Sequence, residues 1–454
     1  VLNRVIMQAK RASAPAQINI PRDFWTQVID IELPAIIDFE LPAGGEEAIT
    51  RAAELLSKAR FPVILNGGGV VIGGAIKDSM ALAERLDAPV CCGYQHNDAF
   101  PGSHPLFTGT LGYNGSKAAM ELISKADVVL ALGTRLNPFS TLPGYGINYW
   151  PKDAAIIQVD INPDRIGLTK HVTVGIVGDA KKVATAILSQ LDVSAGDLGR
   201  EERKAAIEKT KTDWDKQLAG MDHEEDDAGT TWNERARKRD PEKITSRMAW
   251  RAICKALPEN VIISSDIGNS CALGAAYPTF EGGRKYLAPG MFGPCGYGFP
   301  AILGAKIAQP DVPVVGFAGD GAFGISMNEM TACGRDEWPA ITMIIFRNFH
   351  WGAEKRNTTL WYSDNFVGTE LNRDVNYAQI AKACGVEGVQ ATSMDDLTEK
   401  LTTAIRLQME EGKTTFIEVM TNQELGEPFR RDAMTTPVIV AGIDKADMRP
   451  QKGA

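Results

Sequence analysis

Short apolar segments alternate with amphipathic helical patterns along most of the chain, and this alternation restricts the possible folds most strongly. Runs such as PVILN, DVVLAL and AAIIQVDI have the length of strands, and helical patterns such as EEAITRAAELLSKA lie between them. Short buried strands that alternate with helices predict parallel sheets covered by helices on both faces. Because the alternation occurs in two blocks, the sequence predicts an α/β fold with two doubly wound parallel-sheet domains.

Changes in this pattern divide the chain into segments. The first 21 residues contain the end of an amphipathic helix and an apolar segment, APAQINIPRDFW, that predicts a short buried strand. A strand without a neighbouring strand in the sequence indicates that an upstream domain is absent. The further divisions that we expect are a linker at 22–45, a first α/β unit at 46–194, a charged helical connection at 195–242, a second α/β unit at 243–440 and a polar tail at 441–454.

Composition argues against several classes of protein. The net charge of −9 disfavours a nucleic-acid or anionic-membrane partner, and no apolar run approaches the roughly 20 residues that span a bilayer. None of the seven cysteines forms a C-x-x-C pair, which disfavours zinc and a disulfide framework and predicts a cytoplasmic protein. The charge run HEEDD at 223–227 predicts a solvated helix face rather than a metal site.

The first α/β unit contains a glycine-rich turn, Gly67-Gly68-Gly69, directly after the strand PVIL. The dinucleotide fingerprint requires a third glycine in register, and Val-Val-Ile follows here instead. Asp160 lies at the end of a later strand, where it could contact a ribose or cap the following turn. We therefore expect a tight strand-to-helix turn and no nicotinamide or flavin cofactor in this unit.

The second α/β unit places Asp320 between Gly319 and Gly321 at the end of the apolar run VVGFAG. A buried carboxylate is unfavourable unless something pairs with it. The two glycines let the backbone approach an anion closely, and the amides that open the next helix, around Ala322, favour negative charge. This pattern predicts that the partner is a cation together with a phosphate group.

A second oxygen ligand follows one helix and one strand later. Asn348 ends the strand AITMIIFR, so Asp320 and Asn348 are expected at the same edge of a parallel sheet. A carboxylate, an amide oxygen and phosphate oxygens suit Mg²⁺, and the sequence therefore predicts a magnesium ion that holds a diphosphate. The alternative is a helix-capping Asp and an unrelated turn Asn.

The G-D-G sequence followed by a distal Asn resembles the signature of thiamine-diphosphate enzymes. The resemblance implies that Asp320, Asn348 and the backbone carbonyl of His350 hold Mg²⁺ on thiamine diphosphate. The chain departs from the family at Arg347, where the family usually has a second Asn.

Longer segments resemble the acetolactate synthase group of that family. The sequence GMFGPCGYGFPAILGAK resembles the segment along the cofactor's rings, which assigns Gly293 and Cys295 to cofactor binding. The sequence Asp266-Ile267-Gly268-Asn269-Ser270 resembles the loop that reaches the diphosphate, which assigns Gly268, Asn269 and Ser270 to that group. The resemblance thus implies a thiamine-diphosphate-binding fold, with the end of the pyrimidine-binding domain at 1–21, the middle domain at 46–194 and the diphosphate domain at 243–440.

Two further segments resemble members of the group that transfer an acetyl group from sulfoacetaldehyde to phosphate, namely FRNFHWGAEKRN and NQELGEPFRRDAM. That activity implies two small anionic substrates, for which Lys355, Arg356, Arg430 and Arg431 are cationic candidates, with surface ion pairs as the alternative. His350 is a candidate proton shuttle or a structural histidine.

No catalytic residue is assigned, because the glutamate that the family uses lies in the pyrimidine-binding domain. The family implies a homodimer or homotetramer. Other functions that fit are a carboligase acting on pyruvate and a non-catalytic subunit of the same fold; a nicotinamide oxidoreductase would need the missing fingerprint.

Overall fold

The computed structural model describes residues 1–32, 35, 40–221, 238–290, 292–361 and 365–424. Two six-stranded sheets dominate these residues, and neighbouring strands run parallel throughout both sheets. This architecture confirms the predicted α/β fold with two parallel-sheet domains. No helix in the described ranges is long and apolar enough to cross a membrane.

The first sheet consists of β1 (Pro62–Asn66), β2 (Val90–Cys92), β3 (Phe107–Thr110), β4 (Val128–Leu132), β5 (Ala155–Asp160) and β6 (Val174–Val177). Their order in the sheet is β3-β2-β1-β4-β5-β6. Ile64 packs into one apolar cluster, whereas Val63 and Leu65 pack into another. Successive side chains of a strand point to opposite faces, so this strand is buried on both sides and its sequence is continuously apolar.

The helices of this first domain follow the predicted alternation with the strands. Side chains cap two of them at their first turns, since Ser116 accepts a hydrogen bond from Ala119 N and Asp179 accepts from Lys181 N and Lys182 N. The helices are α2 (Glu46–Ser57), α3 (Gly68–Ile72), α4 (Ile76–Leu86), α5 (Lys117–Ile123) and α6 (Ala180–Gln190), with 3₁₀ turns at Pro138–Ser140 and Pro163–Arg165.

A long charged helix, α7 (Arg200–Met221), follows the first domain, as the helical spacing of the connection predicts. Its Arg203 is 0% exposed and donates to five backbone carbonyl groups of the first domain and the preceding turn: Arg60, Leu86, Asp87, Gly196 and Leu198. A guanidinium group has five N–H donors, so this buried cation is fully hydrogen-bonded and anchors the helix. The predicted solvated run at 223–227 lies outside the described residues.

The second sheet consists of β7 (Ile262–Ser265), β8 (Tyr286–Leu287), β9 (Val314–Gly319), β10 (Thr342–Arg347), β11 (Glu387–Ala391) and β12 (Thr415–Met420). Their order is β11-β12-β10-β9-β7-β8. Alternating side chains of β9 and β10 again belong to two apolar clusters, with Phe317 and Phe346 on one face and Ala318 and Ile345 on the other. The carboxyl ends of β7, β9, β10 and β12 therefore share one edge of a sheet that is buried on both faces.

Eight helices are described around this second sheet. Thr245 and Ser393 cap two of them by accepting hydrogen bonds from Met248 N and Asp396 N. The helices are α8 (Ser246–Ala256), α9 (Asn269–Ala272), α10 (Gly298–Ala308), α11 (Asp320–Ser326), α12 (Met330–Cys333), α13 (Gly352–Trp361), α14 (Tyr377–Ala383) and α15 (Met394–Glu410), with 3₁₀ turns at Leu273–Ala276 and Met327–Glu329.

The N-terminal segment differs in part from its prediction. Helix α1 (Leu2–Ala12) is present, but the predicted strand after it has no regular secondary structure and leads into a 3₁₀ turn at Arg22–Thr26. Residues 18–32 carry no partner strand and are classed as partly or fully exposed. The prediction of a strand from the apolar pattern was therefore wrong, because a single strand is not stable without hydrogen bonds to a partner strand.

Candidate functional site

The ends of β9 and β10 bring Asp320 and Asn348 to the same edge of the second sheet. The register pairs Phe346 with Gly319, which places Arg347 beside Asp320 and Asn348 one residue further along the chain. Both side chains are buried, and Asn348 Oδ1 accepts a 3.4 Å hydrogen bond from His350 N. Asp320 and Asn348 therefore lie at the same edge of the sheet, and their joint role in metal binding stays a prediction.

Within the protein, the Asp320 carboxylate is surrounded by donors. Its Oδ2 lies 3.0 Å from Nη1 of Arg347 and accepts a 2.6 Å hydrogen bond from Phe349 N, while Oδ1 accepts from Gly321 N at 3.0 Å. Burial nevertheless raises the pKa of Asp320 to about 6, against the opposing effect of the Arg347 charge. The partner of this buried carboxylate within the described chain is thus a guanidinium group.

Arg347 links two carboxylates. Its Nε lies 3.3 Å from Oε1 of Glu418 on β12, and its Nη2 donates to the carbonyl oxygens of Asn372 and Val375 at 2.7 and 2.9 Å. The guanidinium group also lies over the Phe349 ring, 4.3 Å from its centroid. Arg347, which stands where the family usually has Asn, is therefore part of a buried network with Asp320 and Glu418.

Asp266 organises a neighbouring loop at the end of β7. Its carboxylate accepts hydrogen bonds from Ile267 N at 2.7 Å, Gly296 N at 3.0 Å and Gly298 N at 2.7 Å. Because one buried side chain binds the backbone on both sides, it joins the 267–270 turn to the glycine-rich segment at 293–298. Burial raises the pKa of Asp266, and the N–H donors counteract the rise.

The glycine-rich segment includes two residues assigned from sequence. Gly293 has a φ of 71°, a conformation that glycine adopts without strain. Cys295 is partly buried, and burial, with smaller contributions from the charges of Asp266 and Glu354, raises the pKa of its thiol. A thiol in this environment is protonated at neutral pH and serves as a small apolar group.

The first domain contacts this site directly. Tyr113 donates a 2.9 Å hydrogen bond to Asn269 Oδ1, and Thr110 donates to Ala275 O at 2.8 Å. A cavity of about 460 Å³ lies between the domains, bordered by Gly268, Asn269 and Gly293 on one side and by residues 94–95, 113, 135 and 137–139 on the other. Three of the residues assigned to cofactor binding therefore open onto one cavity.

Comparison with known proteins identifies the family. Residues 49–187 match the family described as the central domain of thiamine pyrophosphate enzymes, and residues 266–419 match the C-terminal TPP binding domain. A sulfoacetaldehyde acetyltransferase of Roseovarius nubinhibens is 72% identical over 452 residues, which are 100% of this chain and 75% of that protein. The chain belongs to the thiamine pyrophosphate enzyme family.

More distant relatives include two kinds of thiamine pyrophosphate enzyme. A sulfoacetaldehyde acetyltransferase of Castellaniella defragrans is 46% identical over 437 residues, 96% of this chain and 73% of that protein. A probable acetolactate synthase large subunit of Methanocaldococcus jannaschii is 31% identical over 406 residues, 86% of this chain and 64% of that protein. The resemblance to the acetolactate synthase group is thus confirmed, and the nearer relatives carry the acetyltransferase name.

The site offers room for the thiamine pyrophosphate group. A Cβ atom placed on Gly268 or Gly319 would meet no other atom within 4 Å, so the backbone at these positions faces open space. Gly268 also has a φ of 134°, which only glycine adopts readily. Open backbone at the ends of β7 and β9, together with the carboxylate of Asp320 and the amide oxygen of Asn348 at the same sheet edge, has the donors and ligands that a diphosphate with a divalent cation needs.

Other assigned positions are packed inside the protein. A Cβ atom on Gly321 would lie 2.8 Å from the Trp351 ring, and Ala322 is buried in the same helix. Ser270 is turned toward α8, since its Oγ lies 3.0 Å from Oγ of Ser246. In the described residues no group of three His, Cys, Asp or Glu side chains is arranged around a metal position, and the expected set uses a single carboxylate.

His350 is 2% exposed, and neither ring nitrogen has a hydrogen-bond partner among the described residues. Burial, together with the charges of Lys355, Arg239 and Arg373, lowers the pKa of His350 to about 3. The ring is therefore neutral at pH 7 and is poorly suited to exchange protons there.

The structure locates two of the four cationic candidates. Lys355 is buried and paired with Glu370, and burial with nearby arginines lowers its pKa to about 8. Arg356 belongs to α13, whereas Arg430 and Arg431 lie outside the described residues.

The glycine turn of the first domain packs against a second turn. A Cβ atom on Gly67 or Gly69 would lie 2.5 Å from Gly133 O or 2.7 Å from Gly133 Cα, so both glycines permit close backbone contact. Asp160 Oδ1 accepts a 2.9 Å hydrogen bond from Asn162 N and thus caps the following turn. Although dinucleotide-binding domains share this strand order, the order alone identifies no ligand.

Sequence reasoning missed Glu418 and the network role of Arg347. It included Asp266 in a loop but missed the role of that carboxylate in joining two backbone segments. Glu418 had a signal, because it is a carboxylate within the apolar strand TTFIEVM. Asp266 had the same signal as Asp320, an acidic residue at the end of a buried strand. The role of Arg347 had no such signal, because its partners come from three separate parts of the chain.

Proposed function

We propose that this protein is a thiamine-diphosphate-dependent acetyltransferase that converts sulfoacetaldehyde and phosphate to acetyl phosphate and sulfite in the degradation of sulfonates such as taurine. The observation that carries the proposal is the 72% identity, over the whole chain, to an enzyme named sulfoacetaldehyde acetyltransferase. The 46% identity to a second such enzyme extends the same support to a more distant relative.

The second domain would hold the cofactor and Mg²⁺. The ion would be bound by the Asp320 carboxylate, the Asn348 amide oxygen and the His350 carbonyl oxygen, which are ligands that Mg²⁺ prefers. The diphosphate would lie against the backbone of the two turns that face open space, with Gly293 and Cys295 beside the cofactor's rings. The buried Asp–Asn pair and the open glycines support this arrangement.

The overall reaction requires no external oxidant. The aldehyde hydrogen leaves as a proton and the electron pair of its C–H bond passes to the adjacent carbon, from which sulfite departs with the electron pair of the C–S bond. That carbon takes up a proton and becomes the methyl group, and a phosphate oxygen gives up its proton and bonds to the acyl carbon. When bound, the thiazolium ring supplies a carbon nucleophile and an electron sink for this chemistry. The protein residues would bind the anions, orient the aldehyde and exclude water.

Cationic residues of the second domain and its C-terminal segment are our candidates for binding the substrate anions. Arg356 is one of them, and Arg430 and Arg431 are the others, because guanidinium groups bind tetrahedral oxyanions through paired donors. Lys355 is less favoured as a direct ligand, because Glu370 already binds it.

We also propose a cytoplasmic homodimer or homotetramer. The resemblance to thiamine-diphosphate enzymes supports an assembly, because in that family the cofactor lies between the pyrimidine-binding domain of one subunit and the diphosphate domain of another. Sedimentation of the active enzyme tests this proposal, and an active monomer at working concentration would contradict it.

A coupled assay tests the proposed reaction. With thiamine diphosphate and Mg²⁺ present, sulfoacetaldehyde and phosphate should yield sulfite and acetyl phosphate in equal amounts. Omission of phosphate should stop acetyl phosphate formation. Acetolactate formation from pyruvate alone, without sulfite release from sulfoacetaldehyde, would instead support a carboligase, and no activity on either would support a non-catalytic subunit.

A further inference from the structure

The cavity between the two domains has a cationic side chain that the sequence did not indicate. Arg135 lies three residues beyond β4, and the cavity wall includes its side chain together with Gly268, Asn269 and Gly293. Because those three residues are assigned to the cofactor, the cavity leads from Arg135 to the expected reaction centre. A volume of about 460 Å³ is ample for a two-carbon aldehyde with a sulfonate group.

Arg135 reaches across the domain boundary. Its Nη2 lies 3.4 Å from the carbonyl oxygen of Gly290, at the outer limit of a hydrogen bond. No carboxylate among the described residues forms an ion pair with it, although Asp160 acts on it over a longer distance. The guanidinium group is therefore a partly buried cation with donors available to a ligand.

Gln95 provides a second polar group at the same place. This residue is 4% exposed, and its Oε1 has no hydrogen-bond partner among the described residues. That oxygen lies 3.3 Å from the position of a Cβ atom on Gly290, so the Gln95 amide and Arg135 both border the same glycine. Gln95 also has a φ of 63°, an uncommon conformation for a non-glycine residue.

Aromatic side chains form part of the remaining wall. Tyr94 contacts Tyr113 and Phe139, with ring centroids 6.0 and 6.2 Å apart. Glu354 also lines the cavity, so an anion is favoured near Arg135 rather than near that carboxylate. An apolar cavity with one cationic, amide-bearing end fits a small organic molecule that carries a single charged group.

We propose that Arg135, with Gln95, binds the tetrahedral oxyanion group of a substrate in the interdomain cavity. This assignment rests on the proposed acetyltransferase function, in which both substrates are tetrahedral oxyanions. The ligand is either the sulfonate of the aldehyde or the phosphate acceptor. A guanidinium fork binds two oxygens of either group. Because no described residue fixes Oε1 of Gln95, its amide can turn so that the Nε2 donor, rather than the acceptor oxygen, meets a third oxygen.

The experiment compares Arg135→Gln, Arg135→Lys and Gln95→Glu with the wild-type holoenzyme. The matched control is Arg51→Gln, which removes an exposed cation from α2 of the same domain and does not line the cavity. KM is measured separately for sulfoacetaldehyde and for phosphate. Calorimetry measures the affinities of thiamine diphosphate, inorganic phosphate and the unreactive sulfonate 2-hydroxyethanesulfonate.

Loss of one charge-assisted interaction should weaken binding by about 10- to 100-fold. Arg135→Gln should therefore raise KM for one substrate by that factor. It should lower the calorimetric affinity by the same factor, for 2-hydroxyethanesulfonate in the sulfonate case and for inorganic phosphate in the phosphate case. Arg135→Lys should recover part of the lost affinity. Gln95→Glu should lower the affinity for the same anion, because a carboxylate there repels it. A higher KM for sulfoacetaldehyde identifies the sulfonate as the ligand of Arg135, and a higher KM for phosphate identifies phosphate.

Calorimetry separates failure of this assignment from failure of the proposed reaction. If the wild type binds either anion and Arg135→Gln lowers that affinity, the assignment of Arg135 to anion binding is supported even when no sulfite is released from sulfoacetaldehyde. If the wild type binds neither anion, or Arg135→Gln binds both as tightly, the assignment is overturned. A selective loss of thiamine diphosphate affinity would also overturn it and would place Arg135 on the cofactor.

Discussion

Asp320 and Arg347 form a buried ion pair at the carboxyl edge of the second sheet, with 3.0 Å between Oδ2 and Nη1. Both side chains are 1% exposed, and Arg347 also lies 3.3 Å from Glu418. One cation therefore serves two buried carboxylates, one of which we expect to bind Mg²⁺. Because Arg347 and Phe349 N occupy Oδ2, the pair orients the carboxylate so that Oδ1 lies toward Gly321 and the opening of α11.

Replacing Arg347 with methionine should strongly destabilise the second domain. The change leaves the carboxylates of Asp320 and Glu418 buried without their shared cation, and breaking a buried ion pair in this way costs about 3–5 kcal/mol. Urea unfolding measures the loss. The double variant Arg347→Met with Glu418→Gln should recover part of it, because one unpaired charge is removed; equal stability of the wild type and Arg347→Met would refute a structural role for the network.

Replacing Asp320 with asparagine should abolish tight binding of thiamine diphosphate in the presence of Mg²⁺ while the fold is retained. The amide keeps an oxygen that can accept from Phe349 N, but it removes the charge that a divalent cation requires. Calorimetry with Mg²⁺ present measures the effect. Asp395→Asn is the control, since Asp395 is an exposed residue in the first turn of α15. Unchanged cofactor affinity in Asp320→Asn would remove the metal assignment.

The amino-acid sequence was sufficient to predict the parts of this site that repeat a local pattern. Strand ends such as Gly319 and Arg347, and the position of Asp320 and Asn348 at one edge of the sheet, follow from alternation and from the parallel arrangement. Gln95 and Arg135 could not be predicted, because their convergence on Gly290 depends on how two domains pack. The short strands β3, β8 and β11 were also missed, since an edge strand of two to five residues has too little apolar periodicity.

Replacing Asp266 with alanine should weaken cofactor binding although the side chain is directed at backbone amides. The substitution removes the acceptor for Ile267 N, Gly296 N and Gly298 N, which leaves three N–H groups near the site without their carboxylate. The turns that carry Gly268 and Gly293 should then lose their fixed spacing, and thiamine diphosphate affinity should fall by about tenfold or more.

Asp266→Asn is the matched variant, because its amide retains one acceptor oxygen. Its cofactor affinity should lie between those of the wild type and Asp266→Ala. If both variants bind thiamine diphosphate as the wild type does, the two turns hold their spacing without this carboxylate.

A last prediction concerns the pH dependence of stability at the domain interface. Asp98 of the first domain is buried, and its Oδ2 accepts hydrogen bonds from Lys285 N at 2.8 Å and Tyr286 N at 3.2 Å in the second domain. Burial raises the pKa of Asp98, and the backbone donors only partly offset the rise. The folded protein therefore keeps a proton on Asp98 at pH values where the unfolded chain has lost it.

Because the folded state binds more protons in that range, the contribution of Asp98 to stability falls as pH rises from about 4, the unfolded pKa, through the folded pKa. Asp98→Asn cannot titrate, so its stability relative to the wild type should improve between pH 4 and pH 7. Asp98→Ala should be less stable than Asp98→Asn throughout, since it leaves two buried N–H groups unpaired at roughly 1–3 kcal/mol each. Urea unfolding midpoints of the three proteins at both pH values check this order. If the stability of Asp98→Asn relative to the wild type stays constant or declines as pH rises, burial does not raise the pKa of Asp98.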